Sequence, residues 1–309
     1  MPDASTLMPD PVHTGPICLL VNERSGANER DRNAIDAARE VLGPDAILCP
    51  WDPTSGQLPD STRQAGLIVA AGGDGTAMGV AGLCLGREVP MAVLPLGTFN
   101  YFARGLGYSE DPAVAAQQVL DGTVHDISVG TVNGQVFLNN ASLGIYPTIL
   151  REREGIYDRW GRSRIAAHWS VLRTLLTFRR PMRVRIDVGD GPVDRRTALI
   201  FVGRSAFQLR VFGLQGEEAI SEDGFAVFVA RAERRRDLFR VGMRLAAGSV
   251  SEGEDYDLIR TARMTVEVPR RTSVLLAHDG EKSRVEGPLH FEMSPEPLRI
   301  VLPPEHPSA

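Results

Sequence analysis

The chain has 309 residues, 43% of them hydrophobic and 24% charged, and a formal net charge of −5. This length predicts about two domains with ample core material, and the negative charge argues against a general nucleic-acid binder. Only one of the 34 basic residues is a lysine, Lys282, so 34 − 1 = 33 are arginine, which excludes a lysine-containing P-loop and the protein-kinase strand lysine.

The start of the chain, residues 1–15, contains Pro and Asp and predicts a disordered lead without the features of a signal peptide. The three cysteines, Cys18, Cys49 and Cys84, lack metal-ligand spacing. We expect them to be buried, reduced thiols of a cytoplasmic protein. No apolar run reaches the ~20 residues that a membrane-spanning helix needs.

Strand and helix patterns alternate between residues 16 and 126. The strands are predicted at 17–21, 46–49, 67–71 and 91–94, and the helices at 28–42 and 77–86. This order predicts an α/β domain with a doubly wound parallel sheet. Ligands of such sheets bind at the carboxyl ends of the strands, where polar glycine-containing turns follow three of the strands here.

A different pattern follows Asp126. Short segments separated by turn signals predict a mainly antiparallel β-sandwich or barrel over residues 127–303, and residues 304–309 form a tail. Its strands are expected at 134–139, 182–188, 197–203, 225–230, 264–268, 273–277 and 298–302, with helical stretches at 162–178 and 236–247. The last strand could also return to the first domain.

The strongest local signal is GGDGT at residues 72–76, directly after a predicted strand. Consecutive glycines let the backbone approach a phosphate, and the N-terminus of the following helix favours an anion. Asp74 could hold Mg²⁺ or a polar group of a nucleotide. The alternative is a tight turn in which Asp74 caps the helix.

A second loop, PLGTFN at residues 95–100, also follows a buried strand. It offers the hydroxyl of Thr98 and the amide of Asn100 beside a glycine. Two such loops on adjacent strands would form a phosphate cradle that contains no lysine.

Five segments in order resemble the diacylglycerol-kinase catalytic family, which includes sphingosine kinases and bacterial lipid kinases. They are NERSG at 22–26, GGDGT at 72–76, PLGTFNYFAR at 95–104, NNASLG at 139–144 and AHDGE at 277–281. The resemblance runs from about Pro16 to Pro303, although Glu23 stands where the family usually has proline. It implies a nucleotide-binding domain similar to NAD kinases and phosphofructokinases, followed by a β-rich substrate domain.

The resemblance also implies roles for individual residues, with ATP and Mg²⁺ as cofactors. The residues expected to bind the nucleotide are Asn22, Ser25, Thr54, Gly72, Gly73, Asp74, Gly75, Thr76, Thr98 and Asn100. Asp74 is also a catalytic candidate, and Asp279 or Glu281 would accept the proton of the lipid hydroxyl. Taken alone, Asp279-Gly280 is equally a common hairpin turn.

A structural Mg²⁺ site is implied by the turn Glu222-Asp223-Gly224, which resembles the family's Asp-Asp-Gly turn. Asp223 would supply its carboxylate, and Ile220 and Phe225 would supply their carbonyl groups. Two residues depart from the family's pattern in this domain. Glu222 replaces the first aspartate, and Arg204 replaces the asparagine of a Gly-Asn pair.

Membrane contact is suggested by residues 151–185, where ten Arg and three acidic residues give a local charge of 10 − 3 = +7, beside Trp160 and Trp169. Each basic residue near an anionic membrane contributes about 1 kcal/mol of binding free energy. The alternative is a solvated helix that its tryptophans anchor to the protein.

These features together favour an ATP-dependent lipid kinase that transfers the γ-phosphate to a hydroxyl of a lipid similar to diacylglycerol. We expect a cytoplasmic protein that associates peripherally with the membrane, has no nucleic-acid partner and is compatible with a homodimer. Two alternatives stay open. One is a kinase of a soluble acceptor such as NAD, and the other is a non-catalytic nucleotide or lipid sensor.

Overall fold

The computed structural model describes residues 14–22, 29–145 and 181–304. The chain divides into two compact units, residues 1–127 with 296–309 and residues 128–295. Several features predicted above lie outside the described residues: Ser25, most of the lead and tail, the helical stretch 162–178 and residues 151–180 of the basic segment.

The first unit contains a six-stranded sheet. Its strands are β1 (Ile17–Asn22), β2 (Ala46–Trp51), β3 (Leu67–Gly72), β4 (Met91–Pro95), β5 (Thr123–Ile127) and the last strand of the chain, β18 (Leu298–Leu302). They lie in the order β2-β1-β3-β4-β18-β5. All neighbouring pairs are parallel except β18 with β5. The central strands are continuous apolar runs and are buried, as expected for a sheet covered on both faces.

The described residues of this unit include four helices: α1 (Glu29–Leu42), α2 (Asp74–Cys84), α3 (Tyr101–Gly105) and α4 (Pro112–Asp121). Helix α1 packs on α4, and α2 packs on α3. Helix α4 begins where Asp111 accepts hydrogen bonds from the N–H groups of Ala113 and Val114, and Pro112 occupies its first turn. Two short 3₁₀ turns, Pro53–Ser55 and Asp60–Gln64, connect β2 to β3.

The second unit is built from two antiparallel sheets of six strands. The strands are β6 (Gly130–Val132), β7 (Gln135–Phe137), β8 (Asn140–Gly144), β9 (Met182–Asp187), β10 (Val193–Thr197), β11 (Leu199–Gly203), β12 (Phe225–Ala230), β13 (Tyr256–Thr261), β14 (Arg263–Glu267), β15 (Ser273–His278), β16 (Glu281–Glu286) and β17 (Leu289–Met293). One sheet has the order β10-β9-β14-β17-β6-β7, and the other has the order β13-β12-β11-β8-β15-β16.

Side chains from both sheets form one hydrophobic core. Its centre contains Phe137, whose ring lies 5.6 Å from that of Phe225 and 6.3 Å from that of Phe291. Two helices, α5 (Ala206–Phe212) and α6 (Glu217–Ser221), pack on the outer face of β11 and β12. Helix α7 (Arg235–Ala246) follows β12.

The predicted fold class is confirmed: a doubly wound α/β unit accompanies an antiparallel β-sandwich. The three cysteines are free and buried, and burial raises the pKa of the Cys84 thiol to about 12. In the part of the chain that the structure describes, no helix combines the length and apolar character needed to cross a bilayer.

Candidate functional site

Four parallel strands of the first unit end at one level of the sheet. In the strand registers Asn22 pairs with Trp51 and Gly72 pairs with Pro95, and the pairing of β1 with β3 brings Asn22 and Gly72 to the same level. Strand β1 has β2 on one side and β3 on the other, so the strand order reverses direction at β1. In doubly wound sheets, the crevice at such a reversal is where ligands bind.

The polar residues predicted for nucleotide binding follow these strand ends. Asn22 ends β1, Thr54 lies in the turn after β2, and residues 72–76 join β3 to α2. Thr98 and Asn100 follow β4. The structure therefore brings the described members of this group to one edge of the sheet.

Glycines allow the two loops to lie in close contact. A methyl group added to Gly97 would lie 2.5 Å from the Cα atom of Gly73 and 2.7 Å from Oδ1 of Asn100. A methyl group added to Gly72 would lie 2.5 Å from Oγ1 of the buried Thr76. These glycines are therefore required by contacts within the protein, in addition to any requirement of a ligand.

Asp74 and Asn100 fix the geometry of the second loop. The Asp74 carboxylate accepts hydrogen bonds from the backbone N–H groups of Tyr101 at 3.1 Å and Phe102 at 2.9 Å, at the start of α3. Asn100 has φ +51°, and its side-chain amide accepts from Gly97 N at 2.9 Å and donates to Gly97 O at 3.1 Å. Both residues thus position the loop, and their direct roles toward a nucleotide stay predictions.

The N-terminus of α2 suits an anion. Its N-cap residue is Gly73, which has no side chain to bond to the first N–H groups of the helix. Such groups, together with the helix dipole, favour a phosphate. Nearby residues of this edge differ in exposure: Thr98 is exposed, and Thr54 is exposed with its hydroxyl donating to Asp52 at 2.8 Å. While its one proton is used in this bond, the Thr54 hydroxyl offers a ligand its acceptor lone pairs.

In the second unit, Asp279 joins two chain segments. Asp279 and Gly280, with φ +45° and +88°, form the two-residue turn between β15 and β16, as the hairpin interpretation predicts. The Asp279 carboxylate accepts N–H bonds from Leu138 at 2.6 Å, Asn139 at 2.8 Å and Asn140 at 3.0 Å. Such charge-assisted bonds anchor the NNASLG segment to the Asp-Gly turn.

The other predicted proton acceptor, Glu281, is the first residue of β16 and is exposed. It pairs across the hairpin with His278. Burial lowers the pKa of the His278 imidazole below its ordinary value, so this ring is neutral at pH 7. Of the two candidate carboxylates, that of Asp279 is held by three backbone donors, whereas that of Glu281 faces solvent.

Two of the three predicted Mg²⁺ ligands, Ile220 and Asp223 but not Phe225, have a cation bonded to them. The guanidinium of Arg204 donates to the carbonyl of Ile220 at 3.1 Å and to the carboxylate of Asp223 at 2.9 Å. Burial lowers the pKa of Arg204, with Asp223 acting in the opposite direction, but arginine stays charged. These residues do not fit a bound metal, and the described part of the chain contains no cluster of three or more His, Cys, Asp or Glu suited to a metal.

Two contacts near these residues were not predicted from the sequence. One is the Arg204–Asp223 ion pair, and the other is the hydrogen bond at 2.9 Å from Asn140 Nδ2 to Gln208 Oε1, both residues being buried. The departures from the family's pattern at Arg204 and Glu222 were the available signal for the first. A glutamine in a short helix carries no comparable signal.

Comparison with known proteins covers both units. Residues 16–132 match the diacylglycerol kinase catalytic domain, and residues 155–302 match the YegS C-terminal NAD kinase beta sandwich-like domain. A Bacillus subtilis (strain 168) protein named "Diacylglycerol kinase" is 29% identical over 244 residues, covering 76% of this chain and 78% of the relative.

A Pseudomonas aeruginosa (strain UCBPP-PA14) protein named "Probable lipid kinase YegS-like" is 41% identical over 133 residues. That alignment covers 41% of this chain and 44% of the relative, so the chain matches less than half of that relative's length.

Solved structures share the fold. A diacylglycerol kinase from Bacillus anthracis str. Sterne matches with a TM-score of 0.62 at 17% identity, covering 94% of this chain and 97% of that one. An NAD kinase from Archaeoglobus fulgidus in complex with ATP matches with a TM-score of 0.53 at 13% identity, covering 92% of each chain. In order along the chain, residues 16–132 are thus similar to the diacylglycerol kinase catalytic domain and residues 155–302 to the YegS C-terminal domain.

Proposed function

We propose that the protein is a phosphotransferase that moves the γ-phosphate of ATP onto a hydroxyl group of a lipid similar to diacylglycerol. The observation that carries this proposal is the edge of the first sheet, where Asn22, Thr54 and the two glycine loops meet at the ends of four parallel strands. The relatives named lipid kinase and diacylglycerol kinase support the same reaction class.

The phosphates of ATP are assigned to the loop 72–76 and to Thr98. Backbone N–H groups at the start of α2 supply donors, so this cradle works without a lysine. Asp74 and Asn100 keep the second loop in place. Mg²⁺ would enter with the nucleotide, where it neutralises phosphate charge.

In the transfer step the lipid oxygen forms a bond to the γ-phosphorus, and the bond from that phosphorus to the β–γ bridging oxygen breaks. ADP leaves with the electron pair, and the proton of the hydroxyl passes to a carboxylate. Asp279 and Glu281 are the candidates, and the contacts favour Glu281 because backbone donors engage the Asp279 carboxylate. In a transfer of this kind the carboxylate mainly orients the hydroxyl and takes its proton late.

The acceptor is assigned to a membrane lipid because residues 151–185 carry a local charge of 10 − 3 = +7 and two tryptophans, Trp160 and Trp169. Such a segment suits an anionic membrane surface. A soluble acceptor is the competing outcome, since the Archaeoglobus fulgidus NAD kinase shares the fold.

The test is transfer of label from [γ-³²P]ATP to diacylglycerol, phosphatidylglycerol, a long-chain base or ceramide in mixed micelles, with NAD as the soluble acceptor. We expect a labelled lipid with wild type and a loss of at least about 100-fold with Glu281→Gln, the magnitude of general-base catalysis. Glu286→Gln, an exposed glutamate on the same strand, is the matched control and should retain activity.

Asp74→Asn and Asp279→Asn are expected to lose activity together with loop order, since each carboxylate accepts several backbone N–H bonds. Their unfolding should therefore be measured beside their activity. Label found only in NAD would show that the acceptor is a soluble molecule and not a lipid. ATP binding without label in any acceptor would favour a non-catalytic sensor and sink the kinase proposal.

A further inference from the structure

Arg204 is bonded to the second unit through both its backbone and its side chain. It follows β11, and its backbone N–H donates to the carbonyl of Asn139 at 2.8 Å. Its side chain is only 10% exposed. An arginine buried to this degree needs acceptors for its donors and an opposite charge.

Three oxygen atoms surround the guanidinium. Nη1 donates to Ile220 O at 3.1 Å, and Nη2 donates to Ser128 O at 3.0 Å and to Asp223 Oδ1 at 2.9 Å. Asp223 itself adopts φ +55°, an unusual backbone conformation for a residue other than glycine. Two carbonyl groups and one carboxylate are the kind of oxygen ligands that a hard divalent cation also takes.

We propose that Arg204 replaces a divalent cation at this turn, so that the chain itself supplies the positive charge linking residues 220–223 to Ser128. A planar guanidinium with several donors can bond to all three oxygens at once. A metal ion would have to compete for those oxygens and would be repelled by the guanidinium charge. The two departures from the family's pattern, Arg204 and Glu222, thus fall at one place.

The test is thermal unfolding of nucleotide-free protein in EDTA and in millimolar MgCl₂. Wild type should unfold at the same temperature in both. Arg204→Asn should unfold several degrees lower in EDTA and regain part of that loss in MgCl₂, because the three oxygens become available to the ion. Arg210→Asn removes an arginine from an exposed ion pair with Glu217 in the same unit, and should show little change and no response to Mg²⁺.

A wild type that MgCl₂ stabilises, with the effect lost in Asp223→Asn, would overturn the proposal by placing a metal at this turn. An Arg204→Asn protein that unfolds at the wild-type temperature, or that gains nothing from Mg²⁺, would also contradict it. If Arg204→Asn fails to fold, the response of wild type and of Asp223→Asn to MgCl₂ still shows whether a metal binds at this turn. None of these measurements depends on kinase activity.

An independent observation concerns α7. Its buried face includes Leu238, whereas Phe239 and Met243, one turn apart, are 53% and 58% exposed. Arg236 and Arg240 lie on the same outward side by helical spacing and are also exposed. A helix on a protein surface usually directs polar residues outward, so two large apolar side chains in this position need a partner.

The surroundings of this face are basic. Residues 231–246 contain six Arg against one Glu and one Asp, a charge of 6 − 2 = +4. Exposed aromatic and thioether side chains flanked by arginines are typical of a helix that lies in the interface of an anionic membrane. We infer that the outward face of α7 docks on an anionic lipid surface, an inference that rests on the proposed lipid acceptor.

Co-sedimentation with vesicles tests this inference in the absence of ATP. Wild type should bind vesicles of phosphatidylcholine with phosphatidylglycerol several-fold better than vesicles of phosphatidylcholine alone, and less well at high salt. The double variant Phe239→Ser/Met243→Ser should lose most of this binding. Val193→Ser, which changes a comparably exposed apolar residue on β10, is the matched control and should bind like wild type.

Undiminished binding by the double variant would overturn the inference. So would a wild-type dimer that the double variant converts to a monomer, because the face would then be an interface between two copies. Vesicle binding without phosphorylation of any lipid would support the docking face and would contradict only the proposed function.

Discussion

At the scale of single residues, the glycines of the two loops allow two close approaches, one to a phosphate and one between the loops themselves. The sequence GGDGT predicts a close approach of backbone to phosphate, and the structure adds a close approach of backbone to backbone between Gly73 and Gly97. Asp74 and Asn100 then hold the second loop through main-chain hydrogen bonds. Substitutions of these residues are therefore expected to distort the loops in addition to changing the groups presented to a ligand.

Gly97→Ala should therefore be more harmful than Gly73→Ala. The added methyl group would lie 2.5 Å from the Gly73 Cα atom in the first variant but 3.3 Å from the Gly97 Cα atom in the second. We expect Gly97→Ala to lower the free energy of unfolding by about 1–3 kcal/mol, the usual cost of overpacking, and to weaken ATP binding. Urea unfolding and ATP titration of both variants would check this, and equal effects would contradict it.

At the scale of elements, strands β1 to β4 of the first unit were predicted because buried parallel strands are continuous apolar runs. Strand β5, which is antiparallel and largely exposed, was not predicted. Continuous apolar runs ending in polar glycine turns indicated both the sheet and the edge where its loops gather. The β12 strand was placed correctly, but it does not alternate, since α5 and α6 cover its outer face. Helices as short as α3 and α6 span little more than one turn, too short for a periodic pattern.

The contacts of the second unit were beyond sequence reasoning for a different reason. Arg204 and Asp223 are 19 residues apart on separate elements, and Asp279 is about 140 residues from the segment that it anchors. No local spacing encodes such pairs. The sequence did identify the segments involved, through the departure from the family's pattern at Arg204 and through the AHDGE motif at 277–281. The hydrogen bonds between distant segments follow only from the sheet order, which places β8 between β11 and β15.

At the scale of the whole molecule, the first unit is assembled from both ends of the chain. The last strand, β18, lies between β4 and β5 in the sheet that carries the nucleotide loops. The side chains of Leu298, Ile300 and Val301 belong to the buried core, and Tyr108 donates a hydrogen bond to Val301 O at 2.7 Å. The fold of the first unit thus depends on residues made after the second unit is complete.

A chain that ends at Pro295 should lose the first unit. Leu298, Ile300 and Val301 are fully buried, and their absence removes about 5–9 kcal/mol of burial free energy, comparable with the whole stability of a domain. A chain that ends at Pro304 keeps β18 and is the control. Hydrogen exchange followed by mass spectrometry should show rapid exchange in β1, β3 and β4 of the shorter chain, slow exchange in its β11 and β12, and loss of ATP binding. Protection of β1, β3 and β4 in the shorter chain would mean that the remaining strands form a stable sheet without β18.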